Sequence, residues 1–324
     1  MTDIFETREA YSRERLRELG EHIVSATSHI ELSDLAIFTV GSYGRLEASN
    51  HSDIDLFFVR GPGNPRVDRR TNELRLFGRL IDVVAELGFP VLSNDARYLQ
   101  SHSSRKVLKH MGSAVDDSRN YFTTRMLLLL ESRCIQGDAS YAQLIDEILW
   151  AYYRDFPTHQ EDFRPWYLLN DIMRYWNTLL VNYENKRNRR PSDGDLRPRV
   201  RNFKLKFSRL TTCFATVCAI GSSRLPTNVE TLKEIVSITP RQRLIRVTDD
   251  IPALTPSVDR ILDVYAWFLE QTALSTSELE DKFQSRAQRT EMFEKASDYR
   301  ALFYDLLLEI DARGKESLLR ALVI

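Results

Sequence analysis

The chain lacks long apolar runs and has few cysteines, and each scarcity excludes a class of protein. No apolar run in the 324 residues reaches the roughly 18 positions typical of a membrane-spanning helix. The first residues are polar and acidic, so we expect neither a membrane span nor a signal peptide. The three cysteines are an odd number without metal-site spacing (Cys134, Cys213, Cys218). All three have apolar, helix-like surroundings, which predicts unpaired core residues in a reducing cytoplasm.

The chain also has almost no net charge. Lys and Arg number 45 and Asp and Glu 46, which leaves a formal charge of −1. Global charge therefore attracts the chain neither to nucleic acid nor to a membrane surface. Internal repeats and low-complexity tracts are missing too, and the length suits one large domain or two ordinary ones.

The most informative stretch is VGSYGRLEASNHSDIDLFFV, residues 40–59. A short run of β-forming residues over 35–40 stops at Gly41 and predicts a buried strand. A second apolar run over 54–59 predicts another strand. Between them lie a Gly-Ser turn and a polar connector, so the stretch is expected to form a strand–turn–strand unit.

An acidic pair, Asp53 and Asp55, stands at the start of the second predicted strand. Side chains two apart on a strand point to the same face, so the two carboxylates should be neighbours. Such a pair is tolerated mainly when a cation or a shared proton compensates it, and hard oxygen ligands suit Mg²⁺. The backbone N–H groups and small hydroxyl of Gly41 and Ser42 suit an anion such as a phosphate.

These residues carry a resemblance to a known family. The strings GSYGRLE (41–47) and SDIDL (52–56) resemble the signature of the DNA polymerase β-like nucleotidyltransferase superfamily. They are most similar to the nucleotidyltransferase domain of PII uridylyltransferases and related proteins, which read G-(G/S)-x-G-R-x-E and then (S/T)-D-x-D. The segment LLESRCIQGD (129–138) is similar to the LLExRxLxGD segment of those enzymes. No comparably specific motif follows it.

The resemblance implies transfer of a nucleoside monophosphate from a nucleoside triphosphate such as ATP to an acceptor hydroxyl, with release of pyrophosphate. Asp53 and Asp55 would then be catalytic and hold Mg²⁺ or Mn²⁺, while Gly41, Ser42 and Arg45 would bind the nucleotide. The acceptor stays open between a protein side chain, an RNA or DNA end, and a second nucleotide. Bacterial toxins and phage-defence enzymes also use this fold.

A third carboxylate is usually supplied in this superfamily by a strand beside the Asp-x-Asp strand. Residues 88–93 predict a short edge strand, and Asp95 is the nearest acid to its end, so it is the candidate third catalytic residue. Asp95 is equally well placed to cap a helix predicted over 96–111. Asp82 is a weaker candidate because it falls on a predicted helix.

A basic segment spans residues 186–209, with ten Lys and Arg against two Asp. Its local charge of +8 leaves the remainder of the chain at −9. One interpretation is a solubilising loop, and the other is a positive surface that faces the triphosphate or a polyanionic acceptor. On the second interpretation Lys204 and Arg209, which lie on a predicted helix, contact the nucleotide.

We predict an α+β chain in three parts. An amphipathic helix (1–30) packs on a nucleotidyltransferase domain with a small mixed sheet (31–115), and an all-helical domain follows (116–324). One helix is expected over 118–136, with Glu131 as a buried bridge between the domains. A hypothesis of another class is a non-catalytic nucleotide-binding or scaffold module, which the intact acidic pair argues against.

Overall fold

The computed structural model describes residues 3–32, 34–61, 69–90, 92, 99–188, 196–314 and 317–323. Contacts divide the chain into two compact units, Met1–Ala151 and Tyr152–Ile324. The sequence placed the domain boundary after residue 115. Residues 116–151 instead pack with the sheet, because they supply one of its strands and the helices that cover it.

The first unit combines helices with four strands. Its described elements are α1 Ile4–Thr27, β1 Leu35–Val40, α2 Gly41–Gly44, β2 Asp55–Arg60, α3 Arg69–Glu86, β3 Ser101–Ser103, α4 Ser104–Lys109, α5 Ala114–Ser118, α6 Tyr121–Glu131, β4 Arg133–Gln136 and α7 Asp138–Ala151. The strand–turn–strand unit and the amphipathic first helix lie where the sequence predicted them.

The four strands form one mixed sheet in the order β3-β2-β1-β4. The central strand β1 is antiparallel to both β2 and β4, and β3 is parallel to β2. The prediction of an α+β protein with a small mixed sheet is confirmed at this level.

Helices cover both faces of the sheet. On one face Ile37, Leu56 and Phe58 join a core with α1 and α3, where the Phe58 and Phe77 rings lie 5.1 Å apart. On the other face Phe38 packs against Tyr141 of α7 at 5.9 Å. Every side chain of β1 is buried, as expected for a central strand covered on both sides. Burying each such aromatic ring contributes about 1.5–3 kcal/mol.

The predicted helix over 118–136 is wrong at its end. Helix α6 stops at Glu131, and residues 133–136 form β4 against β1. Without β4, the edge of β1 would leave backbone N–H and C=O groups unpaired inside the protein, which is costly. Pairing with a distant strand therefore overrides the local helical pattern.

The third strand also differs from expectation. Residues 88–90 are not a strand, and β3 is Ser101–Ser103, within the stretch predicted as a helix over 96–111. Within the described part of that stretch, residues 99–111, the α-helical residues are the six of α4. The sequence Ser-His-Ser has no apolar pattern, so only its pairing with β2 defines it as a strand. Asp95 lies outside the described residues.

The described residues of the second unit contain helices and no strand. They are α8 Trp166–Asn188, α9 Arg197–Lys204, a π-helical turn Leu205–Arg209, α10 Leu210–Ser222, α11 Val229–Ser237, α12 Pro240–Asp250, α13 Thr255–Gln271, α14 Thr276–Gln284, α15 Arg286–Asp311 and α16 Leu318–Val323, with 3₁₀ turns at Phe156–Thr158 and Pro252–Leu254. Across the described parts of both units, no helix has the length and apolar content to cross a bilayer.

The core of the second unit is aromatic. Phe207 stacks on Phe268 and on Tyr299, with ring centroids 4.8 Å apart in each pair. The Thr211 hydroxyl, one turn after Phe207, lies 2.7 Å from the Tyr299 hydroxyl, so this buried phenol has a hydrogen-bond partner.

All three cysteines are free thiols. Cys213 and Cys218 are buried in α10, and Cys134 is half-buried in β4. Burial raises the pKa of Cys134 and of Cys213 to about 12, which keeps both thiols protonated at neutral pH. Cys213 and Cys218 agree with the interpretation of the cysteines as buried residues of helices, whereas Cys134 lies on a strand and not in the helical surroundings predicted for it.

Candidate active site

The pairing of β1 with β2 places Asp55, one residue of the acidic pair, beside the Gly41-Ser42 turn. In the antiparallel pairing of β1 and β2, Val40 lies opposite Asp55. Residue 40 is the last of β1, so the chain enters α2 at Gly41 directly beside the first residue of β2. A carbon atom in place of the Gly41 side-chain hydrogen would lie 3.4 Å from Asp55 Oδ2. Two motifs about ten residues apart in sequence are thus in contact.

The two carboxylates of the pair flank a buried residue. Ile54 is 1 % exposed and belongs to the core cluster, whereas Asp53 is exposed and Asp55 is half-buried. Alternation along an extended chain directs the neighbours of Ile54 away from that core. Both carboxylates are therefore accessible from outside, as a site for a cation and a soluble substrate requires.

The turn itself needs glycine at its first position. Gly41 has a φ of +72°, a left-handed conformation that side chains disfavour. The turn is closed by hydrogen bonds from Arg45 N to Gly41 O (3.0 Å) and from Glu47 N to Ser42 O (2.8 Å). Ser42 is half-buried. The arrangement holds the Ser42 hydroxyl on a fixed turn whose first residue adjoins Asp55.

Arg45 lies in the interior and not at the surface of the turn. Its Nε donates to Glu47 Oε2 at 2.7 Å, and its Nη1 donates to Glu131 Oε2. The side chains of Arg45, Glu47 and Glu131 are 6 %, 7 % and 0 % exposed. We therefore leave Arg45 out of the nucleotide-binding residues. Glu131 is buried as predicted, and its carboxylate connects the end of α6 to Arg45, which follows the α2 turn, within the first unit.

Replacing Arg45 with methionine should lower the free energy of unfolding by about 3 kcal/mol, because two buried carboxylates then lose their cation. Urea denaturation measures the change. As a matched control, Arg13→Met removes an exposed i,i+4 pair with Glu9 (2.7 Å) and should cost less than about 0.5 kcal/mol. Equal stability of Arg45→Met and wild type would show that Arg45 serves something other than this buried network.

Gly44 is a residue of the site that the sequence did not single out for a role. A Cβ atom at this position would lie 1.9 Å from the Glu131 carbonyl oxygen and 2.8 Å from its carbonyl carbon. The α2 turn is thus docked directly on the backbone at the end of α6. The sequence contained two signals for this contact: the second glycine of the Gly-Ser-Tyr-Gly string, and the 129–138 segment. These two parts of the chain meet at Gly44.

The other predicted nucleotide-binding residues, Lys204 and Arg209, belong to the second unit. Lys204 is the exposed last residue of α9, and Arg209 is half-buried at the end of the π-helical turn, both in the second unit. Part of the basic segment and Asp95 lie outside the described residues. Within the described ranges, no group of three or more His, Cys, Asp or Glu side chains is arranged to hold a metal ion.

Comparison with known proteins adds no assignment. No family model matches the chain, and no curated protein matches its sequence.

Proposed function

We propose that the chain is a Mg²⁺-dependent nucleotidyltransferase that transfers a nucleoside monophosphate from a nucleoside triphosphate to an acceptor hydroxyl. The observation that carries this proposal is the register that sets Asp55 against the Gly41-Ser42 turn, with Asp53 exposed two residues earlier. A cation-binding pair beside a phosphate-binding turn is the combination that nucleotidyl transfer needs.

The donor set fits Mg²⁺ or Mn²⁺. Two carboxylates offer hard anionic oxygens, and Mg²⁺ in nucleotide enzymes takes one or two carboxylates, with substrate phosphates and waters completing its shell. A pair without a third acidic neighbour among the described residues is sufficient for that mode of binding. When bound, Mg²⁺ would neutralise charge on the triphosphate and lower the pKa of the acceptor hydroxyl.

Different residues bind the cation and the leaving phosphates. Asp53 and Asp55 hold the cation, and the Gly41 backbone and Ser42 hydroxyl hold the β- and γ-phosphates that will leave. The acceptor oxygen forms a bond to the α-phosphorus while the bond from that phosphorus to the bridging oxygen breaks and pyrophosphate departs. Small groups at positions 41 and 42 let the phosphates approach the backbone closely.

The acceptor is a hydroxyl of a protein side chain or of a nucleic-acid or nucleotide end. Resemblance to the PII uridylyltransferases favours a protein hydroxyl, and the basic segment favours a polyanion. Nucleotide transfer in bacterial toxin or phage-defence signalling is the biological setting that fits both acceptors.

Purified protein incubated with each α-labelled ribo- and deoxyribonucleoside triphosphate and Mg²⁺ or Mn²⁺ tests the proposal. We expect label in one of three products: the protein fraction, extended nucleic acid or a free oligonucleotide. A chelator should abolish all of them. Failure of every nucleotide to be incorporated with both metals, in the presence of candidate acceptors, would favour a non-catalytic nucleotide-binding module.

A further inference from the structure

A separate cavity lies at the opposite end of β2 from the acidic pair. It has a volume of about 390 Å³ and is bounded by the end of β2, by β3, by α4 and by the residues before α6. Asp55 and Arg60, the first and last residues of β2, are about 17 Å apart along an extended strand. A cavity of this size is typical of small-molecule sites.

Several hydrogen-bond donors line this cavity without protein partners. Among the described residues, neither Lys106 nor Arg119 makes an ion pair, and the Ser103 hydroxyl has no hydrogen-bond partner. Asn120 adds a side-chain amide and has a left-handed backbone, with a φ of +59°. No described residue of the lining carries a carboxylate. The cavity is therefore lined by hydrogen-bond donors, and the exposed Lys106 and Arg119 make its rim positively charged.

Arg60 lines this cavity, but its charge is balanced inside the protein. Its side chain is 6 % exposed, and Nη1 donates to Asp34 Oδ1 at 2.7 Å, while Glu73 lies 3.6 Å from Nε. In the described part of the chain, Nη2 is buried with no hydrogen-bond partner. Because Asp34 and Glu73 balance the charge of Arg60, the excess positive charge comes from Lys106 and Arg119.

We propose that this cavity binds a small molecule through a phosphate group. Phosphate is an acceptor-only group with several oxygens, so it matches a lining of arginine, lysine, hydroxyl and amide donors. His102, on β3, also lines the cavity and is partly buried, and burial lowers its pKa because it disfavours the charged imidazolium. The ligand is of mononucleotide or sugar-phosphate size.

This site is independent of the proposed transfer reaction. It needs no metal, and none of its residues belongs to the acidic pair or to the Gly41-Ser42 turn. Binding should therefore be measured with EDTA present and in the Asp53→Asn/Asp55→Asn variant, so that the proposed catalytic site contributes nothing. Failure of one proposal then leaves the other standing.

Isothermal titration with AMP and with inorganic phosphate tests the site, with adenosine as the ligand that lacks a phosphate. We expect AMP and phosphate to bind one per chain and adenosine not to bind. In that background, Lys106→Gln/Arg119→Gln should weaken AMP binding about ten- to a hundredfold through loss of two charge-assisted contacts.

The matched control is Arg105→Gln/Lys109→Gln. It removes the same charge from exposed positions, both on α4, that do not line the cavity. Its AMP affinity should equal that of the parent, and thermal melting of both variants should equal that of the parent too. No binding of AMP or phosphate, equal weakening by the control, or binding of adenosine as tight as that of AMP would each overturn the proposal.

Discussion

Replacing Asp53 and Asp55 together with asparagine should abolish incorporation of α-labelled nucleotide, with at least about a thousandfold loss of rate. The change keeps side-chain size but removes the anionic oxygens that hold the cation. Because Asp53 is exposed and Asp55 is half-buried at the start of β2, little packing is lost. The melting temperature should therefore stay close to that of the wild type. Incorporation assays and thermal melting of the same preparations measure the two quantities.

A control for this prediction lies on α3. Asp82 is exposed there, and Asp82→Asn removes one negative charge from the same unit. It should leave incorporation unchanged, because Asp82 lies on a helix, as its sequence pattern predicted, and an exposed helix charge is screened by solvent and salt. Turnover by the double asparagine variant at the wild-type rate would refute the assignment of the acidic pair.

Replacing Gly44 with alanine should lower the free energy of unfolding by about 4 kcal/mol, a large part of the stability of an ordinary domain. The added Cβ would meet the Glu131 carbonyl oxygen at 1.9 Å and Ser132 Cα at 3.2 Å, and both are backbone atoms that no rotamer change can move aside. Gly44 does not have a positive φ, so the expected loss of stability comes from the steric clash and not from an unfavourable backbone conformation. Separation of α2 from α6 would also displace the Gly41-Ser42 turn, so nucleotide incorporation should fall with stability.

Gly78→Ala is the matched control for this substitution. Gly78 is exposed within α3, and nothing lies within 4 Å of the added carbon. Alanine favours a helix interior over glycine, so stability should rise by about 0.5–1 kcal/mol. Urea denaturation of both variants gives the comparison. A Gly44→Ala protein as stable as Gly78→Ala would mean that the close contact with α6 does not exist in solution.

The strand–turn–strand unit could be read from the sequence because its signals are local. β-forming residues over 35–40 and 54–59, a glycine stop at Gly41 and the alternation around Ile54 act within a few positions of one another. The structure has β1, β2 and the buried Ile54 in those places. The amphipathic spacing of the first helix is equally local, and α1 follows it.

The elements that the sequence misplaced depend on distant partners. Residues 133–136 continue a helical pattern, yet they pair with β1, almost a hundred residues earlier. Ser101–Ser103 carry no strand pattern and are fixed by β2. The family resemblance implied that Arg45 binds the nucleotide, whereas in the structure it pairs with two buried carboxylates. Spacing along the chain cannot reveal those partners, because one of them, Glu131, is far away in sequence.

The order of residues along the chain determined which chemical groups the protein carries: two aspartates around one isoleucine, after a glycine-serine bend. Folding in three dimensions decided where they lie, by setting Val40 opposite Asp55, and it created the donor-lined cavity at the far end of β2. The physical reason is that backbone pairing and close packing join residues far apart in sequence, and no local periodicity records those contacts.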